Sequence, residues 1–502
     1  MFSSSHPILT CDEARRLETR LFAGDEAKEW VAMEKAGAAV GAAALRDFEE
    51  IGGFPIKGRV LVLAGKGHNG GDALLAAREI LRRFPAATAD VRLVFGERAM
   101  RPLALRAYRA LVHAAPTRVA VGQAAALADN YDLCLDGIFG FQFRPPVDAR
   151  VAALLARVNA LPVRLRAAVD LPSGLGGKPV FAADFTYATG CVKTPILDDP
   201  AAGRLRYLDL GFFAGNEPAG DRVLTQEVLD SLAHLRAPSS DKRTYGHLMV
   251  IGGSRGYPGA VLMSVLAALR SGVGLVTAFV PESLAPAYAA REPEAMWVGW
   301  PETPDGSLAL EGRHLLGERM ERATALAIGP GLGRNPETLA LVADVVQTSR
   351  LPLLLDADAL QPEIVTAGDA PRIVTPHAGE FARIAGAVSL QEFATKTGAT
   401  IVLKGPVTRI AGGSKTIPAV YHSFFGGPVL ARGGSGDLLA GLIGGLLAQT
   451  PGEPLLAAAR GVVWHGLAAD LLARAHGQTA VQVTQLVDFL PAVLRGLRLE
   501  EV

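Results

Sequence analysis

"RVLVLAGKGHNGGDALLAAREILRRF", residues 59–84, reads as a strand, a glycine turn and a helix in immediate succession. An apolar run of strand length fills 59–65, and from Asp72 onward the apolar positions recur at helical spacing to residue 84. Strands that pass into helices through tight turns build parallel α/β sheets. The turn spells G-x-G-x-x-G with Gly65, Gly67 and Gly70, a spacing associated with dinucleotide phosphates. It closes, however, on Asp72, at the expected N-cap of the helix. A carboxylate there caps the N–H groups of the first turn and repels a phosphate that would seek the same groups. Glu97, beyond the next strand, could serve as the acid that holds a ribose, so a redox cofactor remains one open reading.

The same alternation runs along the whole chain. In the first half, 89–96, 131–137 and 164–174 read as further strands, and the amphipathic segments between Cys11 and Phe48 are predicted to pack outside the sheet. The second half adds strands at 247–253, 274–280, 325–331, 352–358, 372–376 and 400–405. Between the halves, "LRAPSSDKRTYG" (235–246) is polar and has no clear period. The predicted fold is therefore α/β in two domains, 1–234 and 235–502, the first a Rossmann-like three-layer sandwich. A chain of 502 residues is too long for one ordinary core, which agrees.

Composition narrows the function classes. Hydrophobic residues make up 49% of the chain and charged ones 20%, enough to fill a core and too apolar for disorder. Fifty basic residues balance fifty acidic ones with no long Lys/Arg run, so nucleic acid is not an expected partner. The cysteines, Cys11, Cys134 and Cys191, are odd in number and widely spaced, which suits a reducing compartment. No signal-peptide pattern opens the chain, and the apolar run 438–448 is too short to span a bilayer. A cytoplasmic protein without membrane partners, and a homo-oligomer, is expected.

Three first-half strands end in polar loops of one character: "AGKGHNGGD", "LDGIFG" and "VDLPSG". In a parallel sheet these emerge at the carboxyl edge, where open α/β sheets bind ligands. Asn69, Asp72, Asp136, Asp170 and Ser173 would converge there, an oxygen-rich set suited to a hard cation. Asp170 taken alone could equally be a turn acid bonding the Ser-Gly amides.

"GKGHNGGDALLAAR", "DGIFG", "VDLPSG" and "YATGCVK", with "MEKAG" (33–37) before them, resemble NAD(P)H-hydrate epimerase over about residues 10–215. That family interconverts the R and S forms of NAD(P)HX, a cofactor hydrated at C6 of the nicotinamide ring. The resemblance implies potassium held by Asn69, Asp136 and Ser173. It implies substrate contacts from His68, Asn69, Gly70, Gly71, Asp72, Gly140, Phe141, Gln142, Phe143, Arg144 and Asp170, with Asp170 and Lys193 catalytic. Two departures stand out: Ala73 replaces a usual glycine, and "FQFRPP" puts bulk where substrate would pass, which predicts an altered or impaired site.

In the second half "ARGGSGDLLAGLIGGLLA" (431–448) is the most informative stretch. Gly433, Gly434 and Gly436 allow close approach to an anion, and Asp437 could take a proton from a hydroxyl attacking phosphorus. Asp437 could also be an ordinary N-cap, His377 could merely satisfy a backbone group, and Asp356 and Asp358 could be solvated strand-end acids. Trp464 reads as helix core, with His465 beside it a weak candidate. From "VIGGSRGYPGA" through "LDADAL" and "TPHAGEF" to "GGSGDLLAG", residues 236–498 resemble the ADP/ATP-dependent NAD(P)HX dehydratases, which are ribokinase-like α/β enzymes. The resemblance implies Asp437 as base, with NAD(P)HX contacts from Ala260, Gly331, His377 and Asp437. Adenine-nucleotide contacts would come from Lys404, Gly405, Pro406, Val407, Thr408 and Gly436, with ADP (or ATP) as co-substrate and Mg2+. The expected activity is thus a bifunctional lyase and isomerase that repairs NAD(P)HX. The alternatives are a ribokinase-superfamily kinase of a small molecule with a non-catalytic first domain, and a regulatory protein that binds without turnover.

Overall fold

The computed structural model describes residues 4–122, 127–213, 220–413 and 419–496. The chain forms two compact units, His6–Pro218 with Ala473–Gln478, and Ala219–Leu472 with Thr479–Val502 and Met1–Ser5. The polar stretch 235–246 predicts the change near 235, whereas residues from 219 onward already belong to the second unit. The reason is local: strand Arg222–Leu224 pairs in parallel with Val420–Ser423, and Val228 and Leu229 after it are buried.

The first unit is a seven-stranded parallel sheet in the order Val119–Gly122, Thr88–Leu93, Arg59–Ala64, Tyr131–Gly137, Val163–Val169, Phe185–Thr189, Arg204–Leu208. Period-two alternation sends Val60, Val62 and Ala64 to one face, under helices Glu26–Phe48, His68–Arg83 and Pro102–Ala114. Leu61 and Leu63 point to the other, under helix Ala149–Ala160. This is the predicted three-layer arrangement. The strands Phe185–Thr189 and Arg204–Leu208 carry threonine, tyrosine and arginine among their apolar residues, and so lack an apolar run such as that of Arg59–Ala64.

The second unit's sheet runs Met296–Trp300, Leu275–Pro281, His247–Ile251, Ala325–Ile328, Leu353–Leu355, Arg372–Val374, Thr400–Leu403, all parallel. It continues through the antiparallel strands Thr408–Ala411 and Val420–Ser423. Helices Pro258–Arg270 and Ser435–Gln449 cross one face in close contact, with Ser264 Oγ donating to Asp437 O at 2.9 Å. Helix Pro454–His476 is long and apolar enough to cross a membrane, and 72% of its apolar window is buried inside the protein, as in a core helix. Trp464 on it is core, its Nε1 donating to Leu490 O at 2.8 Å.

Candidate functional sites

In the first unit, strands Arg59–Ala64 and Tyr131–Gly137 are neighbours although the chain forms two other strands between them. Such a switch point leaves a crevice beyond the carboxyl ends, and a cavity of about 350 Å³ lies there. Its walls include His68, Asn69, Asp72, Gly140, Phe141, Gln142, Phe143 and Asp170 of the predicted residues. The bulk of Phe141, Gln142 and Phe143 therefore lines the cavity without filling it. Phe143 stacks on Phe139 at 4.4 Å between centroids, which draws its ring to one wall.

Three predicted contacts sit differently. A Cβ on Gly70 would fall 2.3 Å from Gly65 O, and one on Gly71 2.6 Å from Met33 Sδ. Both glycines are thus required by packing between turn and helix. Arg144 donates to Phe141 O and Phe143 O, lies 3.5 Å from Asp12, and lines a separate cavity of about 280 Å³.

Asp72 is not the N-cap. Helix His68–Arg83 begins four residues earlier, with Gly67 at the cap and no side-chain cap bond. A fifth helical residue cannot cap the first turn, so the cap reading falls and Asp72 faces the cavity from the second turn. Burial, reinforced by Asp170 and Glu18 and opposed by Lys193, holds its carboxyl well above the usual range.

Asp170 also escapes its bland reading. The Ser173 amide donates to Asp136 Oδ2 at 2.7 Å, whereas Asp170 accepts from Lys193 Nζ at 2.5 Å and from Thr189 at 3.4 Å. Asp170 takes φ = 66°, a strained conformation for a residue with a Cβ and one that clusters at functional sites. Lys193 is 1% exposed; burial disfavours its charge, but Asp170 outweighs that and keeps the ammonium above its ordinary range. Glu18, on helix Cys11–Phe22, lines the same cavity. Burial, assisted by Asp170 and Glu29 against Lys193, pushes it up to about 7. Sequence reasoning missed Glu18, since it looks like any charge on a charged amphipathic helix.

Asn69, Asp136 and Ser173 gather around the backbone of Phe139. Asn69 Nδ2 donates to Phe139 O at 2.7 Å, the Phe139 amide donates to Ser173 Oγ at 2.9 Å, and Ser173 Oγ donates to Asp136 Oδ1 at 2.7 Å. Asp136 has no solvent exposure, and burial raises its carboxyl to about 6 against three hydrogen bonds that lower it. Amide, carboxylate, hydroxyl and carbonyl oxygens around a desolvated negative charge fit a hard monovalent cation.

In the second unit the switch point lies between His247–Ile251 and Ala325–Ile328. Ser254 Oγ donates to Gly331 O at 2.8 Å across it, and a Cβ on Gly331 would stand 3.1 Å from that of Ala260. Ala260 and Gly331 are thus together. Two strands further on, His377 and Lys404 form a parallel bridge at the carboxyl edge. His377 is the N-cap of helix Ala378–Ala385, its Nδ1 accepting from Gly379 and Glu380 amides at 3.0 and 3.3 Å. The backbone role is thus real; Nε2 lies 3.5 Å from Glu380 Oε1, and the side chain is 61% exposed. Thr408 opens the strand after the Gly405–Pro406–Val407 turn.

Asp437 is not an N-cap either. Gly434, at φ = 94°, caps helix Ser435–Gln449, and no side chain bonds the first turn. The third helical position leaves the carboxylate free; burial first, then Asp356 and Asp358 against Lys404, lift it to about 6. The expectation that Asp356 is solvated fails. It is 2% exposed and accepts from Lys404 Nζ at 2.9 Å and Thr375 Oγ1 at 2.8 Å. Asp358 keeps its solvated character, capping the Gly333 amide at 3.1 Å and facing Arg334. His465 is buried with the Ser435 backbone on its ring, and burial pulls it down to about 4.

Residues 248–492 match a family model described as NAD(P)H-hydrate dehydratase, and residues 30–194 match the YjeF-related protein N-terminus. The chain is similar to the bifunctional NAD(P)H-hydrate repair enzymes of Moorella thermoacetica, 36% identical over 94% of this chain and 93% of that one, and Gloeobacter violaceus, 37% identical over 94% and 95%. Among solved structures it is similar to the ADP/ATP-dependent NAD(P)H-hydrate dehydratase from Bacillus subtilis co-crystallised with ATP/Mg2+. That likeness has 30% identity, covers 57% of this chain and all of the other, and has a TM-score of 0.47.

Proposed function

The chain belongs to the family of bifunctional NAD(P)H-hydrate repair enzymes, and from that premise we propose how its two sites divide the work. The first unit interconverts R- and S-NAD(P)HX; the second dehydrates the S form to NAD(P)H using ADP (or ATP). The observation that carries the reading is a pair of unlike carboxylate sites, each at the switch point of its own parallel sheet.

In the second site, Asp437 removes the proton of the C6 hydroxyl as that oxygen attacks the terminal phosphorus of the nucleotide. Phosphorylation turns the hydroxyl into a leaving group. The C6–O bond then breaks, a proton leaves C5, and the ring double bond of NAD(P)H returns with phosphate and AMP released from ADP. Lys404 and the amides of helix Ser435–Gln449 stabilise the transferring group, while Ala260, Gly331 and His377 hold the nicotinamide half and 405–408 the nucleotide. Mg2+ would arrive on the nucleotide phosphates, where it would neutralise charge.

In the first site, epimerisation needs the C6–O bond of a carbinolamine to open and water to return on the other face. Asp72, whose carboxyl burial holds well above its ordinary range, is the donor to the leaving hydroxyl, and Asp170, fixed by Lys193, accepts the proton of the incoming water. Asn69, Asp136 and Ser173 would hold K+, which supplies positive charge beside the substrate.

A small-molecule kinase with a non-catalytic, ligand-binding first domain is not favoured by relatives that match 94% of the chain. The test is direct: purified protein with separated NADHX epimers, ADP, Mg2+ and K+, followed by the absorbance of reduced nicotinamide. Failure to recover the S form, or appearance of a stable phosphorylated product instead, would overturn the reading.

A further inference from the structure

Asp356 ends strand Leu353–Leu355 and is followed by Ala357 at φ = 50°. A carboxylate 2% exposed is costly unless it is partnered, and Lys404 Nζ and Thr375 Oγ1 supply the partners. The surroundings of that pair give it a purpose. Lys404 Nζ lies 3.2 Å from where a Cβ on Gly436 would stand, at the first turn of helix Ser435–Gln449. Glu380, from helix Ala378–Ala385, also acts on Lys404. Asp437, one residue along from Gly436, is faced by Asp356 and Asp358 from one strand end and by Lys404 from another. Lys404 is therefore bonded to Asp356 and acts through space on Asp437.

We propose that Asp356 is a positioning residue of the dehydratase site: it ties the Lys404 ammonium beside the first turn of helix Ser435–Gln449, where a phosphoryl group would sit, and so keeps it from pairing with Asp437. The proposal rests on the dehydratase reading of this site. Its physical content is a choice of partner. With Asp356 neutral, Asp437 becomes an accessible anion for the lysine, and an ion-paired Asp437 is both harder to protonate and a poorer base. With Asp356 charged, the lysine is satisfied elsewhere, and the second negative charge raises the proton affinity of Asp437.

The experiment compares wild type, Asp356→Asn, Asp356→Glu and Lys404→Met by steady-state dehydration of S-NADHX across the acidic range, with ADP binding measured by calorimetry. Asp356→Asn is expected to lower kcat about tenfold or more and to move the acidic limb of kcat/KM to lower pH by about one unit. ADP affinity is retained, because a negative charge has been removed beside the phosphates. Lys404→Met moves the limb the other way, and Asp356→Glu restores it towards wild type. A scaffolding role would lower kcat without moving the limb, so an unmoved limb in folded Asp356→Asn overturns the proposal. If that variant does not fold, Thr375→Val, which loosens the hold on Asp356, should displace the limb less in the same direction, and no displacement is equally fatal. A wild-type enzyme inactive on S-NADHX defeats the dehydratase reading and the proposal with it; limb positions in active variants bear on Asp356 alone.

Discussion

Each unit carries a buried lysine–aspartate pair beside a second carboxylate, and the two pairs are set differently. Lys193 is 1% exposed and touches Asp170 at 2.5 Å, whereas Lys404 keeps 22% of its side chain exposed at 2.9 Å from Asp356. The first lysine is sealed behind the cavity carboxylates Asp72, Asp170 and Glu18. The second reaches the glycine-capped start of a helix. The same ion pair can therefore fix a proton acceptor in one place and present a positive charge in another. What separates the uses is the exit left for the ammonium.

The two glycine turns differ in the same sense. In the first, Gly70 is pressed on Gly65 and the helix opens onto a cavity lined by acids. In the second, nothing lies within 4 Å of a Cβ on Gly433, and Gly434 takes the left-handed conformation that frees the amides after it. The second also has Lys404 Nζ 3.2 Å from where a Cβ on Gly436 would stand, a positive charge that suits it to an anion.

If the sites are chemically separate, single substitutions should divide them. Asp437→Ala is expected to reduce dehydration by about 10²–10⁴-fold. It should leave interconversion of R and S epimers, read by chromatography, at the wild-type rate; loss of both activities would mean the sites are not independent. Asp170→Asn should do the reverse, and it also leaves Lys193 as an uncompensated buried charge, at a cost of about 3–5 kcal/mol in denaturant unfolding. Lys404, 22% exposed where Lys193 is 1%, makes Asp356→Asn the milder of the two; an equal loss of stability would contradict the distinction drawn from burial. Ser173→Ala, which removes one oxygen from the set around Phe139, should raise the K+ concentration for half-maximal epimerisation by about 10–100-fold. Dehydration should not respond, and a K+ requirement unchanged by the substitution would exclude these residues as the ligands.

Much of this is legible in the sequence itself. Strands at 59–65 and 131–137 announce themselves because both faces are covered, which gives the apolar stretches 60–64 and 133–135. The antiparallel strands Thr408–Ala411 and Val420–Ser423 were not predicted, being short and mixed in polarity. In the sequence Asp72 reads as a helix N-cap, and Asp437 reads as either a cap or a base, because a lone acid before an apolar run usually caps. Glycines inside the first turn hide the true starts, and both helices begin earlier. Asp356 and Glu18 were illegible for a different reason. Whether an acid after a strand or on an amphipathic helix is solvated depends on what packs over it from distant segments, here Lys404 and Lys193.

The contrast is sharpened by pH, because the two sites ask opposite things of their carboxyl groups. Asp437 must be ionised to act as base, and burial with Asp356 raises it to about 6. A raised folded value means the active form is lost as pH falls through that point, so kcat/KM for dehydration should drop about tenfold per unit below it. In the first site Asp72 lies well above the ordinary range and Glu18 at about 7, so a proton donor is still present where Asp437 has gained its proton. Slightly acid solution should therefore stall recovery of NAD(P)H while the enzyme continues to exchange R for S above the spontaneous rate. Chromatography of the epimers, with a protein-free control subtracted, reads the exchange, and absorbance reads recovery. Coincident acidic limbs for the two activities would mean that the carboxylates of the first site are needed ionised, and the donor assigned to Asp72 would have to be given up.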